Sequence, residues 1–196
     1  MSQFSTYTRL PTDKPYFSSD VTLLPSPKGA PAQTVTKRLF VDNRDRYGYP
    51  AGSDFNFQVY FGNDPSRSVG IEGWENVTSV ELKAVAMPKV ANERYVIMSV
   101  DELNDDMFEA TSSVAHNAFA IVYFDSDNLA TGAVKPLKGA DFYQKQMVFK
   151  PPLAKLNSLS IKFLKHDGSV VTTADTAGET QVSILFEITT KMMRFG

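Results

Sequence analysis

The sequence predicts an all-β fold, an eight-stranded antiparallel jelly-roll sandwich, and two observations carry this prediction. Apolar and polar residues alternate in several short runs, most plainly over residues 54–61 and 181–190. A two-residue period places one face of each run in a core, which is typical of antiparallel sheets. The aromatic content of 12%, led by 14 Phe and 8 Tyr, also suits strands better than helices. No segment keeps a helical period beyond one or two turns.

Eight such runs can be placed in order along the chain, separated by loops rich in Asp, Asn, Gly and Pro. They cover residues 35–42, 54–61, 77–86, 94–100, 118–124, 146–150, 159–163 and 181–190. Pro88 ends the third run, a Pro151–Pro152 corner follows the sixth, and Asp167–Gly168 makes a turn after the seventh. Residues 101–110 and 139–144, where the alternation lapses, are the candidates for short helical pieces.

Eight short strands separated by turns indicate two sheets packed face to face. The number of strands favours the jelly roll, but an immunoglobulin-like sandwich and a lipocalin-type barrel share the same periodicity. Periodicity alone therefore leaves these three topologies open.

Residues 1–34 differ in composition from the rest, because five of the eleven prolines lie there among Ser, Thr and aromatic residues. Proline at this density excludes helix interiors and central strands. We therefore expect an extended N-terminal arm over 1–34, followed by a single jelly-roll domain over 35–196. In a polyproline conformation the arm would reach about 100 Å, at about 3.1 Å per residue. Its aromatic and leucine side chains favour an arm that lies across a partner over a free tail.

Charge and composition exclude several classes of protein. The 20 Lys+Arg residues nearly balance the 22 Asp+Glu residues, so direct packaging of nucleic acid is not expected. The lack of Cys excludes disulfides, thiolate catalysis and Cys-ligated zinc, and it fits assembly in a reducing compartment. No apolar run approaches the roughly 20 residues that span a bilayer, and neither end carries a secretory signal. We therefore expect a soluble, unprocessed protein.

The sequence offers no catalytic constellation, and we expect neither an enzyme nor a cofactor. His116 and His166 are the only two histidines, whereas a cupin-type metal site needs two histidines two residues apart and a third elsewhere. The chain has no G-x-S-x-G nucleophile motif and no phosphate loop ending in Gly-Lys-Ser/Thr. We therefore predict no catalytic, cofactor-binding or metal residue, and we interpret 166–168 as a plain turn.

Two groups of carboxylates are candidates for a hard cation such as calcium at a subunit contact. They are Asp101, Glu102, Asp105 and Asp106 in one group, and Asp125 and Asp127 in the other. Neither group has EF-hand spacing, so a solvated surface loop is the preferred interpretation of both.

Asn76-Val77-Thr78 matches the pattern of an N-glycosylation acceptor. The triplet lies where a strand begins, and the chain has no secretory signal. We therefore expect no modification of Asn76.

A carbohydrate-binding or receptor-binding sandwich is the alternative from another functional class. Such a module needs exposed aromatic rings, together with amide or carboxylate groups in the same groove. Trp74, Tyr47 and Tyr49 are the candidates, because a rigid ring supplies much contact area at low entropy cost. For Trp74, burial under the end of the sandwich is the preferred interpretation.

Four segments of the chain carry a resemblance to a known family. They are KRLFVDNRDR at 37–46, VTSVELKAVAMPKVANERYVI at 77–97, FKPPLAKLNSLSIKFLKHDG at 149–168 and ILFEIT at 184–189. Over residues 35–190 the chain resembles the single jelly-roll capsid proteins of large icosahedral double-stranded DNA viruses, including the algal chloroviruses. These are the penton and minor capsid proteins of the nucleocytoplasmic large DNA viruses.

The resemblance implies a non-enzymatic structural component of an icosahedral capsid, located in the virion and assembled in the host cytoplasm. A penton protein at the five-fold vertices is the preferred role, with a minor capsid protein that cements major capsomers as the alternative. The implied partners are other copies of the chain in a pentamer, the major capsid protein and other minor capsid proteins. No direct contact with nucleic acid and no membrane span is expected.

Overall fold

The fold is described from a computed structural model, which covers residues 33–47, 49, 52–61, 73–103, 110–124, 130–138, 142–143 and 146–192. The chain divides into two units at residue 32, and the first unit lies entirely outside the described residues. The predicted arm over 1–34 therefore falls outside the described part, apart from Gln33 and Thr34, and Thr34 already begins the first strand.

The described residues contain ten strands. In chain order they are β1 (Thr34–Asp42), β2 (Asn56–Tyr60), β3 (Trp74–Pro88), β4 (Tyr95–Val100), β5 (Ala120–Tyr123), β6 (Val134–Lys138), β7 (Phe142–Tyr143), β8 (Gln146–Leu156), β9 (Ser158–Leu164) and β10 (Ser183–Lys191). The helical segments in the described ranges are 3-10 turns at Asn43–Asp45, Asp101–Leu103, Ala115–Asn117 and Thr173–Thr176.

The strands form two five-stranded sheets in which every pairing is antiparallel. Sheet A has the order β1-β10-β3, and β3 then pairs with β8 over one half of its length and with β6 over the other. Sheet B has the order β2-β9-β4-β5-β7. The all-β class predicted from the alternation is confirmed.

The pairing is that of a jelly roll. Without the short additions β6 and β7, the sheets are β1-β10-β3-β8 and β2-β9-β4-β5. The hydrogen-bonded pairs β1–β10, β2–β9, β3–β8 and β4–β5 nest inside one another along the chain. One long hairpin has thus been rolled so that the successive strands of each arm, β1 to β4 and β5 with β8 to β10, alternate between the two sheets.

The core lies between the inner faces of the two sheets because buried and exposed residues alternate along the strands. In β9 the buried positions are Leu159, Ile161 and Phe163, as the two-residue spacing predicts. Phe186 of β10 is fully buried and lies 6.1 Å from the ring of Phe119, centroid to centroid. The largest fully buried side chains are Phe55, Phe119, Phe163, Phe186, Leu82, Met87, Ile97, Met98, Leu103, Leu156 and Leu159.

Two strands are longer than the sequence predicts. β3 begins at Trp74, not Val77, and Pro88 is its last residue. β8 continues through Pro151–Pro152 to Leu156, so this pair does not end the strand. The register between β3 and β8 shifts near these prolines, and among the described strands β8 pairs with β3 alone. Proline lacks an N–H donor and is tolerated in such an edge strand.

The predicted helical pieces have different outcomes. Residues 101–103 form a 3-10 turn, but residues 104–109 lie outside the described part. Within 139–144 the described residues Phe142 and Tyr143 form a strand that pairs with β5, so a helix there is wrong.

Truncation of Phe186 to Ala tests the core. Removal of a fully buried ring leaves a cavity, and we expect the free energy of unfolding to fall by about 3–5 kcal/mol. Phe40 of the neighbouring strand is 62% exposed, and its truncation should change the free energy by less than about 0.5 kcal/mol. Urea unfolding followed by circular dichroism measures both, and equal losses would contradict the assignment of the inner face.

Candidate functional site

The outer face of β2 and β9 carries polar and aromatic side chains with defined partners. Phe55, Phe57 and Val59 point into the core, so the residues between them point outward. The register sets Asn56 opposite Lys162, Gln58 opposite Ser160 and Tyr60 opposite Ser158. We call these six residues the polar face.

Two tyrosines form the aromatic end of the polar face. The Tyr60 hydroxyl donates to Gln58 Oε1 at 2.7 Å, which fixes both side chains along the strand. The rings of Tyr47 and Tyr60 are 5.5 Å apart between centroids and inclined at 76°, an edge-to-face contact. Tyr47 N donates to Gln58 O at 2.8 Å, so the backbone also holds this residue beside β2. Tyr47 is 62% exposed and Tyr60 37%.

Glu102 ties down the serines of the polar face. The β4–β9 pairing ends at Val100 and Ile161, and the Glu102 carboxylate then accepts from Ser160 N at 2.7 Å. It also accepts from Ser160 Oγ at 2.9 Å and from Ser158 Oγ at 3.0 Å. Beyond the end of β4, the Glu102 carboxylate thus accepts the Ser160 N–H bond that a backbone carbonyl of a longer β4 would accept.

The carboxylates considered as cation ligands have protein partners where the structure describes them. Asp101 accepts from Lys162 Nζ at 2.8 Å, and Glu102 holds the two serines. Asp105, Asp106, Asp125 and Asp127 lie outside the described residues. Across the described ranges, no three acidic or histidine side chains gather as a metal cage.

A buried arginine supports the loop that carries Tyr47 and Tyr49. Arg46 is 5% exposed, and its Nη2 lies 3.0 Å from Asp54 Oδ1 while its Nη1 donates to Asn43 O at 2.9 Å. The Tyr49 ring covers the guanidinium at 4.7 Å, so one ring face is occupied while the residue stays 52% exposed. Both tyrosines predicted as candidates are therefore exposed on a loop with a rigid base.

Trp74 is not available to a ligand. It is 8% exposed at the start of β3, and Lys37 Nζ lies 5.5 Å from its ring centroid. Its indole nitrogen is buried, and the structure gives it no hydrogen-bond partner. Burial under the end of the sandwich, the preferred interpretation, is the observed one.

The Asn76 triplet lies in a paired strand. Asn76 is a half-buried residue of β3 with a φ of 52°. It directly precedes the stretch from Val77 to Ser79, where the pairing to both neighbouring strands changes register. Thr78 Oγ1 donates to Thr189 O at 3.0 Å, which uses the hydroxyl of the triplet. Acceptor sites for glycans lie on surface loops, so this location disfavours modification.

The outer face of sheet A differs from the polar face in its chemistry. Phe40 and Val148 point outward and are 62% and 51% exposed. Between them an ionic row crosses three strands, because Glu187 lies 3.7 Å from Arg38 and 3.5 Å from Lys83. Lys83 also pairs with Glu81 at 2.8 Å, and the hydrogen bond with Glu81 raises the pKa of Lys83. This surface combines bare apolar side chains with paired charges.

Comparison of the chain with protein-family models gives no match, and comparison with curated proteins gives none either. None of the helical segments in the described ranges has the length and hydropathy of a membrane-spanning helix.

Part of the outer face of sheet B beyond β2 and β9 is covered by the chain itself. Ala115 and Ala118, in the connection from β4 to β5, pack on Ile97, with Val114 and Leu164 at the margin. Beyond this covered part, Tyr123 of β5 and Tyr143 of β7 are 47% and 57% exposed. The polar face is therefore one part of the exposed outer surface of sheet B.

The two histidines lie in exposed turns. His166 Nδ1 is 2.9 Å from Glu93 Oε1, a contact that joins the β9–β10 connection to the β3–β4 turn. The hydrogen bond with Glu93 raises the pKa of His166 above its usual 6.5. His116 lies in the Ala115–Asn117 turn.

The His166–Glu93 contact predicts a pH dependence of stability. A raised folded-state pKa means that the stabilisation is complete below pH 6.5 and is lost as pH rises through the folded-state pKa. Glu93→Gln should lower the pKa of His166 in an NMR titration and should destabilise the fold most below pH 6.5. The exposed Glu75→Gln is the control, and a pH profile for Glu93→Gln parallel to wild type would refute the linkage.

The Arg46–Asp54 pair predicts a large cost for losing one partner. Asp54→Ala leaves the guanidinium buried without its carboxylate, and we expect a loss of about 3 kcal/mol in the free energy of unfolding. The Asp101–Lys162 pair is 44% and 36% exposed, so Asp101→Ala should cost less than about 1 kcal/mol. Denaturant unfolding at neutral pH measures the free energy of unfolding of both variants. A loss for Asp54→Ala as small as that for Asp101→Ala would show that the Arg46 guanidinium is solvated.

Proposed function

We propose that this chain is a structural component of an icosahedral viral capsid, and specifically the penton protein at the five-fold vertices. The rolled-hairpin pairing, β1-β10-β3-β8 against β2-β9-β4-β5, carries the proposal. It is the fold that the resemblance to single jelly-roll capsid proteins implies. The four segments of that resemblance fall on β1 with its turn, β3 to β4, β8 to β9, and β10, so they span both sheets.

Association is the proposed mechanism, and the outer face of sheet A is the surface that supports it. Burial of exposed apolar side chains between subunits favours assembly by about 25 cal/mol per Å². Phe40 and Val148 offer such side chains, and the row through Glu187 supplies charges that can orient a neighbour. Head-to-tail contacts that close on themselves generate a cyclic ring. One jelly roll per subunit suits a five-fold ring, whereas a trimer of double jelly rolls does not match that symmetry.

A minor capsid protein that cements major capsomers is the second candidate. The composition of residues 1–34 favours it, because an extended proline-rich segment can order on several partners. The location of the chain in an intact particle distinguishes the two roles. Density at a five-fold vertex supports the penton, and density beneath or between capsomers supports the cementing role. A purified chain that stays monomeric and binds no major capsid protein, and whose particles form without residues 1–34, would exclude both.

Phe40→Ser tests the outer face of sheet A. The full chain should form a pentamer in light scattering after gel filtration. The dissociation constant of the variant's assembly should be about tenfold higher, because an apolar contact is lost. Its free energy of unfolding should stay within about 0.5 kcal/mol of wild type, since Phe40 is exposed in the subunit.

Tyr123→Ser is the matched control, because Tyr123 is a 47% exposed aromatic residue in sheet B. It should leave assembly unchanged. An equal loss of association in both variants would remove sheet A from the proposed contact.

A further inference from the structure

We propose that the polar face, together with Tyr47, binds a neutral oligosaccharide. This function is separate from capsid assembly and uses the opposite sheet. In the bound state a sugar ring stacks on the exposed tyrosine rings, and its hydroxyls exchange hydrogen bonds with Gln58, Asn56 and the serines of β9.

The two rings at the end of the polar face form a corner suited to a sugar. Tyr47 and Tyr60 meet at 76° with centroids 5.5 Å apart, so the face of one ring adjoins the edge of the other. The C–H side of a pyranose is apolar and packs on an aromatic face, while its hydroxyls point outward. The Tyr60 ring is held before binding by its hydroxyl bond to Gln58. The Tyr47 backbone is bonded to β2, and its ring packs against Tyr60. A preorganised ring gives contact without a large loss of side-chain entropy.

The polar groups follow the rings in a regular row. Tyr60, Gln58 and Asn56 are spaced two residues apart on one strand, so the row extends about 13 Å from end to end at about 3.3 Å per residue. Gln58 Oε1 already accepts from Tyr60, which orients the amide so that its NH₂ group can donate outward. The hydroxyls of Ser158 and Ser160 lie beside this row on β9, oriented by Glu102. The row is long enough for a short chain of sugars.

The charges of the surface select a neutral ligand. Lys162 is paired with Asp101, and Glu102 is engaged by three donors. Within the described residues the polar face therefore presents no unpaired cation for a phosphate, a sulfate or a sialic acid. Hydrogen-bonding groups and aromatic rings remain, and a neutral sugar can bind to both. The apolar side chains that favour protein association lie instead on sheet A.

Binding of the full chain to defined oligosaccharides tests the proposal. The probes are lactose, cellotriose, maltotriose and chitotriose as neutral ligands, with sialyllactose and a sulfated disaccharide as anionic ones. We expect at least one neutral probe to bind by saturation-transfer NMR and calorimetry at concentrations up to about 10 mM. Tyr47→Ala and Gln58→Ala should each weaken that binding by about tenfold, while Tyr47→Phe retains it because the ring is preserved.

One control variant and one stability measurement accompany the binding experiment. Tyr123→Ala removes an exposed ring at another place in sheet B and should leave the affinity unchanged. Thermal unfolding of each variant shows whether a loss of binding reflects loss of the fold. Failure of every neutral probe, binding of anionic probes alone, or an equal loss in Tyr123→Ala overturns the proposal. None of these outcomes bears on assembly through sheet A.

Discussion

The buried amide of Asn43 holds the two sheets at one end of the sandwich. Its Nδ2 donates to Asp54 O at 3.1 Å and to Thr180 O at 2.6 Å, and its Oδ1 accepts from Val182 N at 3.3 Å. One side chain thus joins the exit of β1 to the approaches of β2 and β10, which belong to different sheets. A buried amide with all these bonds is stable, whereas its removal would leave several backbone groups unpaired. The Arg46–Asp54 pair and the tyrosine loop build on this junction.

The fold could be predicted where the information is local. Alternation with period two indicated the inner faces correctly, because each residue's orientation in a strand follows from its own position. The sequence does not predict β6 and β7, because VKPLK and FY are too short or too interrupted to alternate. Their strand character comes from pairing with β3 and β5. The continuation of β8 through two prolines likewise depends on its edge position, which no local pattern reveals.

In the candidate site, too, residue types could be predicted from the sequence and long-range contacts could not. Tyr47 could be singled out by residue type, but its partners could not. Gln58 and Tyr60 face outward on β2, and the register places Ser160 and Ser158 of β9 opposite them, about one hundred residues along the chain. Glu102 in turn accepts hydrogen bonds from these serines. The contacts of the DNRDR segment at 42–46 likewise depend on the fold. Asp42 accepts from Arg44 in a cap whose hydrogen bonds lower the pKa of the aspartate, Asn43 bridges the sheets, and Arg46 is buried beneath Tyr49.

The nesting of the strand pairs also governs the order in which the chain can fold. β10 lies between β1 and β3, so the central ladder of sheet A stays open until residues 183–191 have been synthesised. Contacts this distant in sequence make folding slow, because the chain loses loop-closure entropy before the stabilising strand pairs can form. During translation, β1 and β3 expose unpaired edges to neighbouring nascent chains. Both edges become paired only once the last strand has emerged.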